Sequence, residues 1–137
     1  MWLLFAILSA VFASATAILI KVGVRDVDSN LATAIRTSVV LLLTWGIVFF
    51  SGAFSQIKII PKHCWTFLVL SGVATGLSWL CYFKALQLGE LSKVAPIDKL
   101  SVALTILFAI FFLGETVDAK TIIGASVILI GVCILVF

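Results

Sequence analysis

An aspartate and a lysine stand side by side in an otherwise apolar stretch, and this pair is the strongest chemical feature of the sequence. Asp98 and Lys99 lie within "VAPIDKLSVAL", residues 94–104. Neighbours on a helix point about 100° apart, so we do not expect a simple ion pair within one helix. Two interpretations stay open. Either Asp98 complements a helix N-terminal dipole while Lys99 extends toward polar surroundings, or both charges face a polar pathway inside the protein.

The composition predicts that the surrounding solvent is a lipid bilayer. Of 137 residues, 64% are hydrophobic and 11% are charged, which is more apolar surface than so small a chain can bury. Four runs contain no charged residue and are long enough to cross about 30 Å of hydrocarbon: residues 2–20, 37–57, 64–83 and 121–137. A fifth run, residues 100–114, reaches that length only if its helix also includes Asp98 and Lys99.

The sequence therefore predicts an all-α membrane protein with five transmembrane helices. Their expected bounds are roughly residues 2–21, 31–51, 65–84, 95–113 and 119–136. Helices are preferred over strands because the runs are about twice the length that a barrel strand needs. Pro96 is expected in the first turn of the fourth helix, where its missing N–H has no cost. The connections are short, so we expect residues 1–137 to form one multi-pass domain in the cell membrane.

Several classes of function are disfavoured by what the sequence lacks. It has no Ser/His/Asp set, no glycine-rich phosphate loop and no His/Cys cluster, so we expect no enzyme, no cofactor and no metal site. The net charge of +3 comes from lysines and arginines near the helix ends, which indicates membrane boundaries and no nucleic-acid partner.

The cations at the two membrane boundaries are nearly balanced. One boundary carries Lys21, Arg25, Lys84 and Lys93, with Arg36 and Lys99 just inside helices on that side; the other carries Lys58, Lys62 and Lys120. Six cations on the first side against three on the other favour an external N-terminus and a cytoplasmic C-terminus. So small a bias also leaves insertion in both orientations open.

Polar and aromatic side chains share one face on each of two predicted helices. The third helix carries Ser71, Thr75, Ser78 and Tyr82 with Trp79 at the edge, and the fourth carries Asp98, Ser101, Thr105, Phe108 and Phe112. Such stripes indicate either helix packing, with each hydroxyl bonded to its own helix, or the walls of a shared cavity. The candidate substrate-binding residues are Arg36, Ser78, Trp79, Tyr82, Asp98, Lys99, Ser101 and Thr105. In the last helix, Gly124, Ser126 and Gly131 favour close contact with another helix, including one from a second copy.

Two segments resemble the short, single-repeat members of the drug/metabolite transporter superfamily, the EamA-type permeases. They are "SNLATAIRTSVVLLL" at residues 29–43 and "ALQLGELSKVAPIDKLSVALTILFAIFFLGE" at residues 85–115, and the resemblance extends over essentially the full length. Larger relatives fuse two such units into a ten-helix inverted repeat around a central cavity. The resemblance thus implies half of such a transporter, exporting small metabolites or drugs by alternating access as a homodimer, with an antiparallel arrangement permitted by the balanced cations.

The sequence departs from the superfamily in one respect, and alternative functions stay open. Four-helix multidrug exporters of the same superfamily use a carboxylate in the first helix for proton coupling, whereas residues 2–20 contain no acidic residue. This departure argues against a simple proton/drug exchange. The alternatives are a flippase or transporter for a lipid-linked or amphipathic substrate, and a non-transporting scaffold or accessory subunit.

Overall fold

The computed structural model describes residues 1–24 and 27–137, and the described residues contain helices and no strand. Arg25, one of the boundary cations counted above, lies outside the described residues. The α-helices are α1 (Trp2–Gly23), α2 (Ser29–Phe50), α3 (Lys62–Leu88), α4 (Leu91–Asp98), α5 (Leu100–Leu113) and α6 (Ala119–Val136), and a 3₁₀ helix covers Ala53–Ile59.

Among the described residues, five stretches are long and apolar enough to cross a membrane, which confirms the predicted number of spans. Four are single helices, namely α1, α2, α3 and α6, and the fifth is Leu91–Leu113, which contains both α4 and α5. The third span is longer than predicted, because α3 begins at Lys62 and continues to Leu88. Most large apolar side chains of the spans are exposed in the isolated chain, as expected for surfaces that face lipid or another helix.

Side chains and glycines define several helix ends. Asp28 caps α2, since its carboxylate accepts hydrogen bonds from the backbone N–H groups of Asn30 and Leu31 at 2.9 and 3.1 Å. Asp118 caps α6 in the same way through the N–H of Thr121 at 3.1 Å. Gly114 ends α5 with φ of 65°, a left-handed conformation in which glycine has no Cβ penalty.

The fourth span differs from its prediction in one important respect. It starts at Leu91, so Pro96 lies inside α4 and not in the first turn. Proline supplies no N–H for the bond to the preceding turn, and its ring crowds the carbonyl four residues earlier. The helix is interrupted shortly after this proline. Its last residue is Asp98, the N–H of Lys99 bonds to the Pro96 carbonyl at 2.9 Å, and α5 begins at Leu100.

The described residues fall into two compact units. One contains residues 1–21 and 88–137, in which α4 and α5 both pack against α6. In this unit the Lys21 ammonium donates a hydrogen bond to the Gly89 carbonyl at 2.7 Å. The other unit contains residues 22–87, in which the 3₁₀ helix packs against α2. Here the Gln87 amide donates a hydrogen bond to the Val27 carbonyl at 2.6 Å. This bond links the segment before α2 to the end of α3.

Candidate functional site

Arg36 is a cation inside a membrane span, and its guanidinium group contacts two aromatic rings. It is the eighth residue of α2, about 10 Å along the helix axis from Ser29. Its guanidinium carbon lies 4.5 Å from the centroid of the Trp79 ring and 5.3 Å from that of Phe83. Trp79 and Phe83 are one turn apart on α3, so the same helix face supplies both rings. Cation–π attraction of this kind grows stronger as water is removed.

No acidic side chain among the described residues pairs with Arg36. Residues 29–89 contain no aspartate or glutamate. Within the described part of the chain, the ion pair that forms joins Lys99 to Asp98 and leaves the Arg36 guanidinium without a carboxylate. A guanidinium lying over a ring keeps its in-plane N–H donors available, and these donors match a carboxylate or a phosphate. The arrangement is therefore suited to binding an anionic group within the membrane.

Two other candidates lie on the same unit as Arg36. Tyr82 is half-buried and lies within electrostatic range of the guanidinium. Ser78 is exposed, one turn before Tyr82 on α3. The structure thus brings Arg36 close to Trp79 and Tyr82, and the role of these residues in binding a substrate stays a prediction. Phe83 was missed by the sequence analysis, although its position four residues after Trp79 on a helix was a usable signal.

The remaining candidates belong to the other unit, and one prediction about them is wrong. Lys99 and Asp98 do form an ion pair, with 3.0 Å between the ammonium nitrogen and a carboxylate oxygen. Our expectation assumed an uninterrupted helix, whereas α4 ends at Asp98 and α5 starts at Leu100. The flexible lysine stem reaches the neighbouring carboxylate at this break. Both side chains remain partly exposed, at 57% and 40%, so the pair neutralises charge without sealing it from its surroundings.

The hydroxyls that follow this pair are bonded to their own helix. Ser101 donates to the Asp98 carbonyl and Thr105 donates to the Ser101 carbonyl, each at 2.7 Å. This is the pattern expected from helix packing, although each hydroxyl oxygen can still accept a hydrogen bond. The prediction that the two polar stripes line one shared cavity stays a prediction.

Comparison of the sequence with known proteins places the chain in a family. The profile of the EamA-like transporter family matches residues 1–137. The chain is 45% identical over 134 residues to a Sinorhizobium protein named "Uncharacterized transporter in cobO 3'region", covering 98% of this chain and 95% of that relative. It is also 30% identical over 82 residues to an uncharacterized protein of Methanocaldococcus jannaschii, covering 60% of each chain. No solved structure matches the chain. With five apolar spans and a family match over residues 1–137, the chain belongs to the EamA-like transporter family.

Proposed function

We propose that this chain is an exporter of small metabolites or drugs that carry an anionic group, working as a homodimer by alternating access in the cell membrane. Its family and its transporter-named relative support a multi-pass membrane transporter. The observation that carries the proposed substrate class is the Arg36 guanidinium, held by Trp79 and Phe83 without an acidic partner among the described residues.

A charged side chain inside a membrane span is energetically costly. A cation at this depth costs a few kcal/mol unless it has partners or water nearby, and such residues normally mark a substrate or ion pathway. The two rings offset part of this cost and orient the guanidinium. An anionic group on the substrate offsets more of it, because a bidentate carboxylate or phosphate contact combines charge with two hydrogen bonds. Binding energy from this contact is thus available only to solutes with such a group.

The proposed dimer follows from the size of the unit. Transporters with inverted repeats place their site between two repeats near the midplane, and residues 1–24 and 27–137 of this chain supply five candidate spans. The Sinorhizobium relative matches over 95% of its own length, so it too has the length of one unit. In α6, a Cβ added at Gly124 or Gly131 would meet no atom within 4 Å, which leaves these positions open to a second copy. The balanced boundary cations allow that copy to be inverted.

Flux into proteoliposomes tests the proposed function. A panel of carboxylates, phosphate esters, neutral solutes and amines is offered to liposomes with and without the protein. We expect saturable flux for anionic members only, and its loss in Arg36→Ala. Lys84→Ala is the matched control, since Lys84 is an exposed cation on α3, and it retains flux. Saturable flux of amines alone, or unchanged flux in Arg36→Ala, would contradict the proposed substrate class.

The orientation of the two termini tests the inverted dimer separately. Tags on both termini, probed from each side of the membrane, should report a substantial population of C-termini on each face. One added lysine in a single connection should shift that distribution, because the present balance is narrow. If every C-terminus lies on one face, the antiparallel homodimer is excluded.

A further inference from the structure

An apolar groove lies where α2 ends and α3 begins, away from Arg36 on the same unit. Its volume is 760 Å³, within the range of about 300–1,000 Å³ found for small-molecule sites. Trp45 on α2 and Trp65 on α3 contribute to its lining, and Ile57 and Ile60 come from the connecting segment. The lining is therefore mostly apolar and comes from the ends of two spans and the segment between them.

The backbone between the two helices forms the groove. Gly52 has φ of 72°, so the chain turns sharply after α2 in a conformation that disfavours other residues. The 3₁₀ helix then packs back against α2, where the Phe54 ring lies 6.0 Å from the Trp45 ring between centroids. Pro61 follows immediately before α3. The groove is therefore built into the turn.

Because the groove lies at the ends of two candidate spans, we expect it at the boundary between hydrocarbon and headgroups. Trp45 lies about 8 Å before the end of α2, and Trp65 lies about 5 Å after the start of α3. Tryptophan is enriched at this depth of a bilayer because its ring is apolar and its N–H is polar. An acyl chain in the groove would thus contact apolar walls, while its headgroup would remain at the membrane surface.

The positive charges beside the groove favour a lipid with an anionic headgroup. Lys58 lies in the last turn of the 3₁₀ helix and Lys62 is the first residue of α3, and both are exposed. Residues 29–89 contain no aspartate or glutamate, so this stretch of sequence is purely cationic. Gln56 adds an amide to the lining, which can donate to an ester carbonyl. We propose that this groove, formed by residues 44–65, binds one anionic phospholipid, with its acyl chain between the tryptophans and its phosphate beside the two lysines.

Lipid binding to the purified protein tests this proposal. Phosphatidylglycerol and phosphatidylcholine with the same acyl chains are titrated in detergent and counted by native mass spectrometry. Each lysine near an anionic lipid contributes about a fivefold preference, so two predict roughly 30-fold tighter binding of phosphatidylglycerol. The double variant Lys58→Gln/Lys62→Gln should lose this preference. The matched control Lys84→Gln/Lys120→Gln should keep it. Equal binding of both lipids, or loss of preference only in the control, would overturn the proposal.

A second measurement locates the lipid. In a variant with Trp2→Phe and Trp79→Phe, Trp45 and Trp65 are the remaining tryptophans. Dibrominated phosphatidylglycerol at a low fraction in nanodiscs should quench their fluorescence more than dibrominated phosphatidylcholine does. Glycerol 3-phosphate in excess should leave the quenching unchanged, because it lacks the acyl chain. Equal quenching by both lipids would indicate ordinary bilayer contact and contradict a bound phospholipid.

Discussion

Removing the Trp79 ring should abolish its cation–π attraction to Arg36. A double-mutant cycle can measure the free energy of this interaction. The guanidinium carbon lies 4.5 Å from the Trp79 centroid, inside the range of about 6 Å for cation–π attraction. Exposed pairs contribute about 0.5–1 kcal/mol and desolvated pairs about 2 kcal/mol. Arg36 is half-buried, and Phe83 remains as a second ring after the change. We therefore expect a coupling free energy of about 1 kcal/mol between Arg36 and Trp79.

The cycle consists of wild type, Arg36→Leu, Trp79→Leu and the double variant. The free energy of unfolding is measured in mixed micelles by titration with sodium dodecyl sulfate, followed by circular dichroism. Arg36 with Trp45 provides a matched control pair, since these residues lie nine positions apart on α2, about 14 Å along its axis. Independent sites add within about 0.5 kcal/mol. A coupling below that value for Arg36 and Trp79, equal to the control, would refute the stacking argument.

Two further predictions concern the helix caps. Asp28→Ala should lower the free energy of unfolding by about 1 kcal/mol because two N–H groups of α2 lose their acceptor, whereas Asp28→Asn should retain most of the stability in the same titration. At Asp118, hydrogen bonds from the Thr121 side chain and backbone hold the pKa of the carboxyl below its usual value, so this cap should stabilise the fold above about pH 4 and be lost as the pH falls through the lowered pKa. The Thr121 amide resonance should report this midpoint in an NMR titration, and a midpoint at or above the usual aspartate pKa would contradict the assignment.

The five spans were predictable because their signal is local. Long runs without charge determine where hydrocarbon can surround the chain, and no tertiary contact is needed to recognise them. The ends of the spans were less predictable. The uncharged run 64–83 predicted that the third helix ends near residue 84, yet α3 continues to Leu88, because backbone hydrogen bonds and caps determine a helix end.

The candidate site was predictable only as a set of residue types. The depth and charge of Arg36 singled it out, but its contacts with Trp79 and Phe83 depend on how α2 lies beside α3, which periodicity does not specify. The ion pair between Asp98 and Lys99 was missed for another reason. The fourth helix was predicted to start near Pro96, so a break after this proline was not expected.

The most direct test of the central claim compares transport of a solute with and without its anionic group. For a solute transported by the protein, initial rates are measured in proteoliposomes for the anionic form and for its neutral amide or dephosphorylated analogue. A hydrogen-bonded charge contact contributes about 1.5–3 kcal/mol, so Arg36→Ala should raise the apparent KM of the anionic form about 10-fold or more, with Arg36→Lys intermediate and Lys84→Ala unchanged. Equal effects of Arg36→Ala on the charged and neutral forms would contradict a role of Arg36 in binding the anionic group.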